Sequence, residues 1–186
     1  MIDTLSVDWA YRPRGWGVDT VAAFNLLPAE RLETDLLACC AAPSWGAMIV
    51  AGRPYDQRVG IVAAADAAAR TSSWADVLVG LSAHPRITER AAGSGTEAQW
   101  SRREQAAAEL SADDATRAAL IEANRAYEER FGWVFLIFAS GRSLAEILAA
   151  ARARLANDEQ AERAIVADEL RKIALLRLER MLDALG

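Results

Sequence analysis

From Val21 onward, apolar residues recur at three- and four-residue steps, the spacing that lays them along one face of an α-helix. Leucines 32, 36 and 37 mark a helix over residues 28–41, and an alanine-rich stretch over 56–70 marks another. Ser73 can cap a further helix that runs to about Ser82 and stops just ahead of His84. Between these stretches, PSWG and AGRPYD carry Pro43, Gly46, Gly52 and Pro54 and read as punctuation. AAGSGTE (91–97) reads as a loop ending in a helix start, because Ser94 with Glu97 and Thr96 with Gln99 both have capping-box spacing. The helix that follows carries WSRREQAAAEL. Another start signal stands at Ser111, with Asp113 and Asp114 complementing the helix dipole, and that helix should reach Arg130 before Gly132 ends it. Ser143 with Glu146 forms a capping box ahead of Leu144, Ile147, Leu148, Ala151 and Leu155, and the longest helix runs from about Asp158 to Leu185.

One segment breaks the helical period. WVFLIFAS, residues 133–140, is an unbroken run of aromatic and aliphatic residues between Gly132 and Gly141, and periodicity cannot type it. With no partner strands in view, it is expected to be an extended, buried connector whose N–H and C=O groups must find partners or serve a ligand. The expected architecture is all-α: a single-domain, compact multi-helix bundle over 21–186 with one extended apolar connector near 133–140. The first 20 residues, with Pro13, Gly15, Gly17 and three aromatics, are expected to be a loose N-terminal extension.

Composition narrows the function. The 186 residues suit one core, and 53% hydrophobic with 25% charged residues describes a globular chain. A formal charge of -5 argues against nucleic acid as a partner, since phosphate contacts need a concentrated basic surface. No apolar run reaches 18 residues, so no membrane span is expected, and the N-terminus lacks the basic-then-apolar order of a secretory signal. A cytoplasmic protein is the resulting expectation. Cys39 and Cys40 are adjacent and have no second pair, which fits burial as small apolar side chains and not a metal site.

Three features could carry chemistry. Ser101, Glu104 and Gln105 share one helix face and put a hydroxyl, a carboxylate and an amide in one patch; a solvated helix face would look the same. His84 is the single histidine, followed by Pro85, which stiffens the turn; a lone loop histidine also suits a structural role. Arg177 falls on or beside the apolar stripe made by Leu170, Ile173, Ala174, Leu178 and Met181. Its guanidinium there needs Glu104 or a substrate carboxylate as partner, unless it snorkels to water. Arg86 and Arg142 read as surface residues. GxGxxG, P-loop, HExxH and GxSxG motifs are absent from the sequence.

Taken together, FNLLPAERLETDLLACC (24–40), PSWGAMIVAGRPYD (43–56), HPRITERAAGSGTEAQWSRREQ (84–105), NRAYEERFGWVFLIFASGRS (124–143) and ELRKIALLRLERML (169–182) resemble the decarboxylases of 2-oxo-4-hydroxy-4-carboxy-5-ureidoimidazoline (OHCU) in urate breakdown. The combination of HPRI, SxxEQ, YEERFG and KIxxLRL in this order makes the resemblance specific. It implies decarboxylation of OHCU to (S)-allantoin with neither cofactor nor metal, and a small-molecule partner. His84 would be the catalytic acid/base and Glu104 its catalytic companion. Pro85 would shape the pocket, and Ser101 and Gln105 would contact the substrate. The backbone of Leu136, Ile137, Phe138, Ala139 and Ser140 would line the opposite wall, and Arg177 would bind a carboxylate or carbonyl. A homodimer fits the same resemblance. Thr88 stands where the family has glycine, and Phe138 and Ser140 where it has cysteine and threonine.

In chemical terms, the electrons left by departing CO2 need a sink, which the adjacent ring C=N supplies once protonated. His84, tuned by Glu104, would deliver a proton to one face and so set the product's handedness. Two other readings share these residues: a decarboxylase acting on another small carboxylated heterocycle, and a non-catalytic helical module that binds a protein.

Overall fold

A computed structural model describes residues 19–87, 96–109 and 113–186, with side chains in the 96–109 stretch as far as Glu104. The described residues form helices and no strand: α1 (Thr20–Leu26), α2 (Ala29–Cys39), α3 (Pro43–Ala51), α4 (Arg58–Thr71), α5 (Trp74–Ser82), α6 (Thr96–Glu109), α7 (Asp114–Phe131), α8 (Leu144–Arg154) and α9 (Glu159–Leu185). The all-α expectation holds.

Local signals explain most boundaries. Ser73 with Asp76 and Ser143 with Glu146 form reciprocal capping boxes that satisfy the first N–H groups of α5 and α8. The side chain of Asp158 accepts from the Ala161 N–H to open α9, and Gly132, at φ 79°, ends α7 in the left-handed conformation that glycine tolerates. Three expectations need correction. PSWG is not a break: Pro43 occupies the first turn of α3, where its missing N–H costs nothing, and Gly46 lies inside the helix against Leu36. Thr96 is already helical and so does not cap α6, while Ser94 lies outside the described residues. Ser111 also lies outside them, and Asp113 is the residue that caps α7, accepting from the Thr116 N–H at 2.6 Å.

Among the described residues, the helices bury two apolar clusters. The larger gathers α2 to α5 around α9 through residues such as Leu36, Trp45, Ile61, Val77 and Leu178. The smaller lies between α7 and α8, through Leu120, Tyr127, Ile147 and Ala151. Residues 134–139 run between them outside any helix or strand. Leu136 belongs to the first cluster and Phe138 packs on it, whereas Phe135, Ile137 and Ala139 belong to the second. Alternate side chains therefore enter opposite cores, the period-two geometry of an extended chain.

With no strand among the described residues to pair with, the connector's backbone bonds to charged side chains. Arg154 donates to the Leu136 carbonyl at 2.7 Å, and the Phe138 N–H donates to Glu169 at 2.6 Å. Arg154 is buried and paired with the buried Glu162, which also accepts from the Tyr127 hydroxyl and from Asn157. Cys39 and Cys40 are buried free thiols, and burial pushes Cys39 up to about 12, so it stays protonated.

Candidate active site

α5 ends at Ser82, and the chain turns through Ala83 so that the His84 N–H bonds the Leu81 carbonyl at 2.9 Å. The Gly80 carbonyl, one of those left over at the end of α5, is taken by the histidine ring: Nδ1 lies 3.0 Å from it. A carbonyl only accepts, so Nδ1 carries the hydrogen and Nε2 carries the lone pair. The residue is 9% exposed, and Nε2 has no hydrogen-bond partner among the described residues. Burial, and then the positive charge of Arg177, push the imidazole down to about 4, with the Gly80 bond opposing both. At neutral pH His84 is an uncharged base.

Arg177 is buried in α9 at 1% exposure. It donates from Nε to Glu104 Oε1 at 3.2 Å and from Nη2 to Glu104 Oε2 at 3.0 Å, a two-point pair. Nη2 also reaches the Ser101 hydroxyl at 2.9 Å, and that hydroxyl donates to Glu97 at 2.9 Å. Arg180, one turn further along α9, donates to Glu104 Oε1 at 2.8 Å. The lone stripe arginine is thus paired and does not snorkel.

These groups surround one cavity of about 30 Å³. His84 and Pro85 line it from the turn after α5, Ser101 and Glu104 from α6, and Arg177 from α9. The connector contributes Leu136, Ile137, Phe138, Ala139 and Ser140. The side chain of Gln105 lies outside the described residues. One expectation is corrected: Glu104 does not orient or charge His84. Its oxygens are held by Arg177 and Arg180, the imidazole's Nδ1 is tied to backbone, and the charge acting on the imidazole is that of Arg177.

Several residues that matter here were not singled out from sequence. Ile87, Phe135 and Ile173 complete the walls, and Glu97 and Arg180 hold the polar groups in place. Helical spacing could have found some of them, since Glu97 precedes Ser101 by four residues, Ile173 precedes Arg177 by four, and Arg180 follows it by three. The surroundings suit a small polar anion: a fixed lone pair, a buried guanidinium, a hydroxyl, and an apolar wall that excludes water.

Known proteins resemble the chain in sequence and in fold. The family model described as OHCU decarboxylase matches residues 25–179. The chain is 30% identical over 152 residues to the uric acid degradation bifunctional protein TTL of Arabidopsis thaliana, covering 80% of this chain and 47% of that protein. It is 37% identical over 101 residues to a 2-oxo-4-hydroxy-4-carboxy-5-ureidoimidazoline decarboxylase of Amia calva, covering 54% of this chain and 58% of that one. The chain thus spans about half the length of the curated relatives it matches. A crystal structure of an OHCU decarboxylase in the presence of (S)-allantoin superposes with a TM-score of 0.70 at 27% identity, over 80% of this chain and 97% of that one. A structure of (S)-allantoin synthase shares the fold, with a TM-score of 0.63 at 20% identity, over 86% of this chain and 53% of that one.

Proposed function

Because the chain belongs to the OHCU decarboxylase family, we propose that it converts OHCU to (S)-allantoin and CO2 in urate catabolism. The observation that carries this reading is the bare Nε2 of His84, fixed by Gly80 in a cavity that also takes Ser101, Glu104 and Arg177.

OHCU bears a hydroxyl and a carboxylate on one ring carbon, next to a ring C=N. In the proposed reaction the bond to the carboxylate breaks, and its electron pair forms a C=C bond with the neighbouring carbon. The C=N pair moves onto the ring nitrogen, which takes a proton from solvent. The enol left behind must become a ketone, with its hydroxyl proton removed and one delivered to the neighbouring carbon. A neutral imidazole with a free Nε2 suits both steps: it accepts the hydroxyl proton and returns it to carbon from one face. The balance is one proton consumed and one CO2 released. Arg177 faces the substrate's anionic end, and Ser101 and the connector hold the ring.

Stereoselectivity separates catalysis from spontaneous decay. OHCU generated in place from urate and treated with the protein should give one enantiomer of allantoin, followed by circular dichroism. His84→Ala should slow that signal by roughly 10²–10⁴-fold while the helical spectrum stays unchanged. A racemic product at the uncatalysed rate with wild-type protein, or undiminished turnover by the variant, refutes the assignment. A homodimer acting in the cytoplasm completes the proposal; among the described residues no helix is long and apolar enough to cross a membrane.

A further inference from the structure

The two-point pair between Arg177 and Glu104 poses a problem for any anionic substrate, because the guanidinium that should receive it is already neutralised. If a second carboxylate approached Arg177 with nothing else present, two buried anions would face one cation, and one of them would lose its partner. The structure supplies another cation at the right atom. Arg180 donates to Glu104 Oε1 at 2.8 Å, closer than Arg177 Nε at 3.2 Å on the same oxygen. The Arg180 side chain is 29% exposed, against 1% for Arg177, so it stands on the solvent side of the pair. Glu97, at 3.6 Å from Arg177 Nη1, contributes further negative charge on that flank and makes a second cation more necessary.

We propose that Arg180 is a positioning residue that retains Glu104 when a substrate carboxylate takes over the guanidinium of Arg177. This rests on the decarboxylase reading and deepens it: the site holds its charge as an internal pair, and Arg180 lets that pair open without leaving the part-buried Glu104 alone. With Arg180 neutralised, Glu104 keeps Arg177 as its one cation among the described residues and releases it less readily. The penalty then falls on binding of a carboxylate-bearing ligand, and not on the proton transfers at His84.

The test compares wild type, Arg180→Gln and Arg180→Lys on OHCU generated from urate, with melting curves confirming that each is folded. Arg180→Gln should raise KM about tenfold, the equivalent of one partly buried charge pair, with kcat changed less than about twofold, and Arg180→Lys should recover part of the loss. Inhibition by (S)-allantoin, which lacks the carboxylate, should be the same in all three proteins. An unchanged KM in Arg180→Gln, a fall confined to kcat, or an equal weakening of allantoin overturns the role of Arg180 while leaving the decarboxylase reading in place. Wild-type protein that leaves OHCU to decay unaided overturns the decarboxylase reading, and this inference with it.

Discussion

A histidine that is buried and uncharged in the folded protein but hydrated in the unfolded chain makes stability depend on pH. His84 titrates near 4 when folded, against an ordinary 6.5, because burial and the charge of Arg177 both oppose its protonation. Between those values the unfolded chain binds a proton that the folded one does not. Stability is therefore full above about pH 6.5 and falls as the pH drops toward 4, by roughly 3 kcal/mol. Carboxylates such as Asp66 and Asp76, whose pKa values are lowered by hydrogen bonds, lose their contribution at lower pH and overlap the window only at its acid end. Urea denaturation of wild type and His84→Gln from pH 4 to 7 isolates the effect: the wild type should lose stability over that window by about this much more than the variant, and parallel curves would mean that His84 is hydrated. At this scale the sequence was informative about identity and less so about partnership. His84 stands out because it is the only histidine, and Arg177 because a charge interrupts an apolar stripe. Which of Glu104's neighbours would claim it depends on how α6 meets α9, and that is not written in the spacing of either helix.

Among the elements, the connector shows what pattern can and cannot reveal. WVFLIFAS announces burial and defies a helical period, and the extended form follows from there being two cores for alternate side chains to enter. What the pattern does not announce is how its backbone is satisfied. Arg154 and Glu162 occur in ARARLANDEQAERA, where charges at helical spacing look like an ordinary solvated face. In the fold both are buried, and the Arg154 guanidinium bridges Glu162 and the Leu136 carbonyl while lying 4.7 Å from the Phe135 ring centre. Arg154→Met keeps much of the volume but leaves Glu162 charged without its cation and Leu136 without its donor. Such a broken buried pair costs roughly 3–5 kcal/mol, which should appear as a matching shift in the urea midpoint. A loss below about 1 kcal/mol, the range of an exposed pair, would place Arg154 in solvent instead. The misread PSWG segment has the opposite origin: proline and glycine mark breaks on average, but proline is at home in a helix's first turn, and only the surrounding chain decides which applies.

Seen as a whole, the molecule puts its cavity where its two apolar clusters meet, with the α9 residues Ile173 and Arg177 on one side and the connector on the other. Its volume of about 30 Å³ admits no more than a few waters, each needing roughly 10–15 Å³ on this measure. A five-membered ring carrying a ureido group is larger than that, so such a ligand would fill the cavity and touch the connector, α6 and α9 together. Bound ligand then becomes part of the packing between the clusters, and its binding energy adds to the stability of the whole fold. At a concentration about a hundredfold above its Kd, (S)-allantoin should stabilise the protein by about 2.7 kcal/mol. For a chain of this length that corresponds to a rise in Tm of roughly 5–10 °C, growing with the logarithm of ligand concentration. Because the Gly80 carbonyl fixes the His84 ring, Nε2 meets the ligand from one direction, and (R)-allantoin at equal concentration should give a smaller rise. Differential scanning calorimetry with both enantiomers makes the comparison: equal shifts would mean that the cavity does not read handedness, and no shift with either would mean that allantoin does not lodge between the two cores.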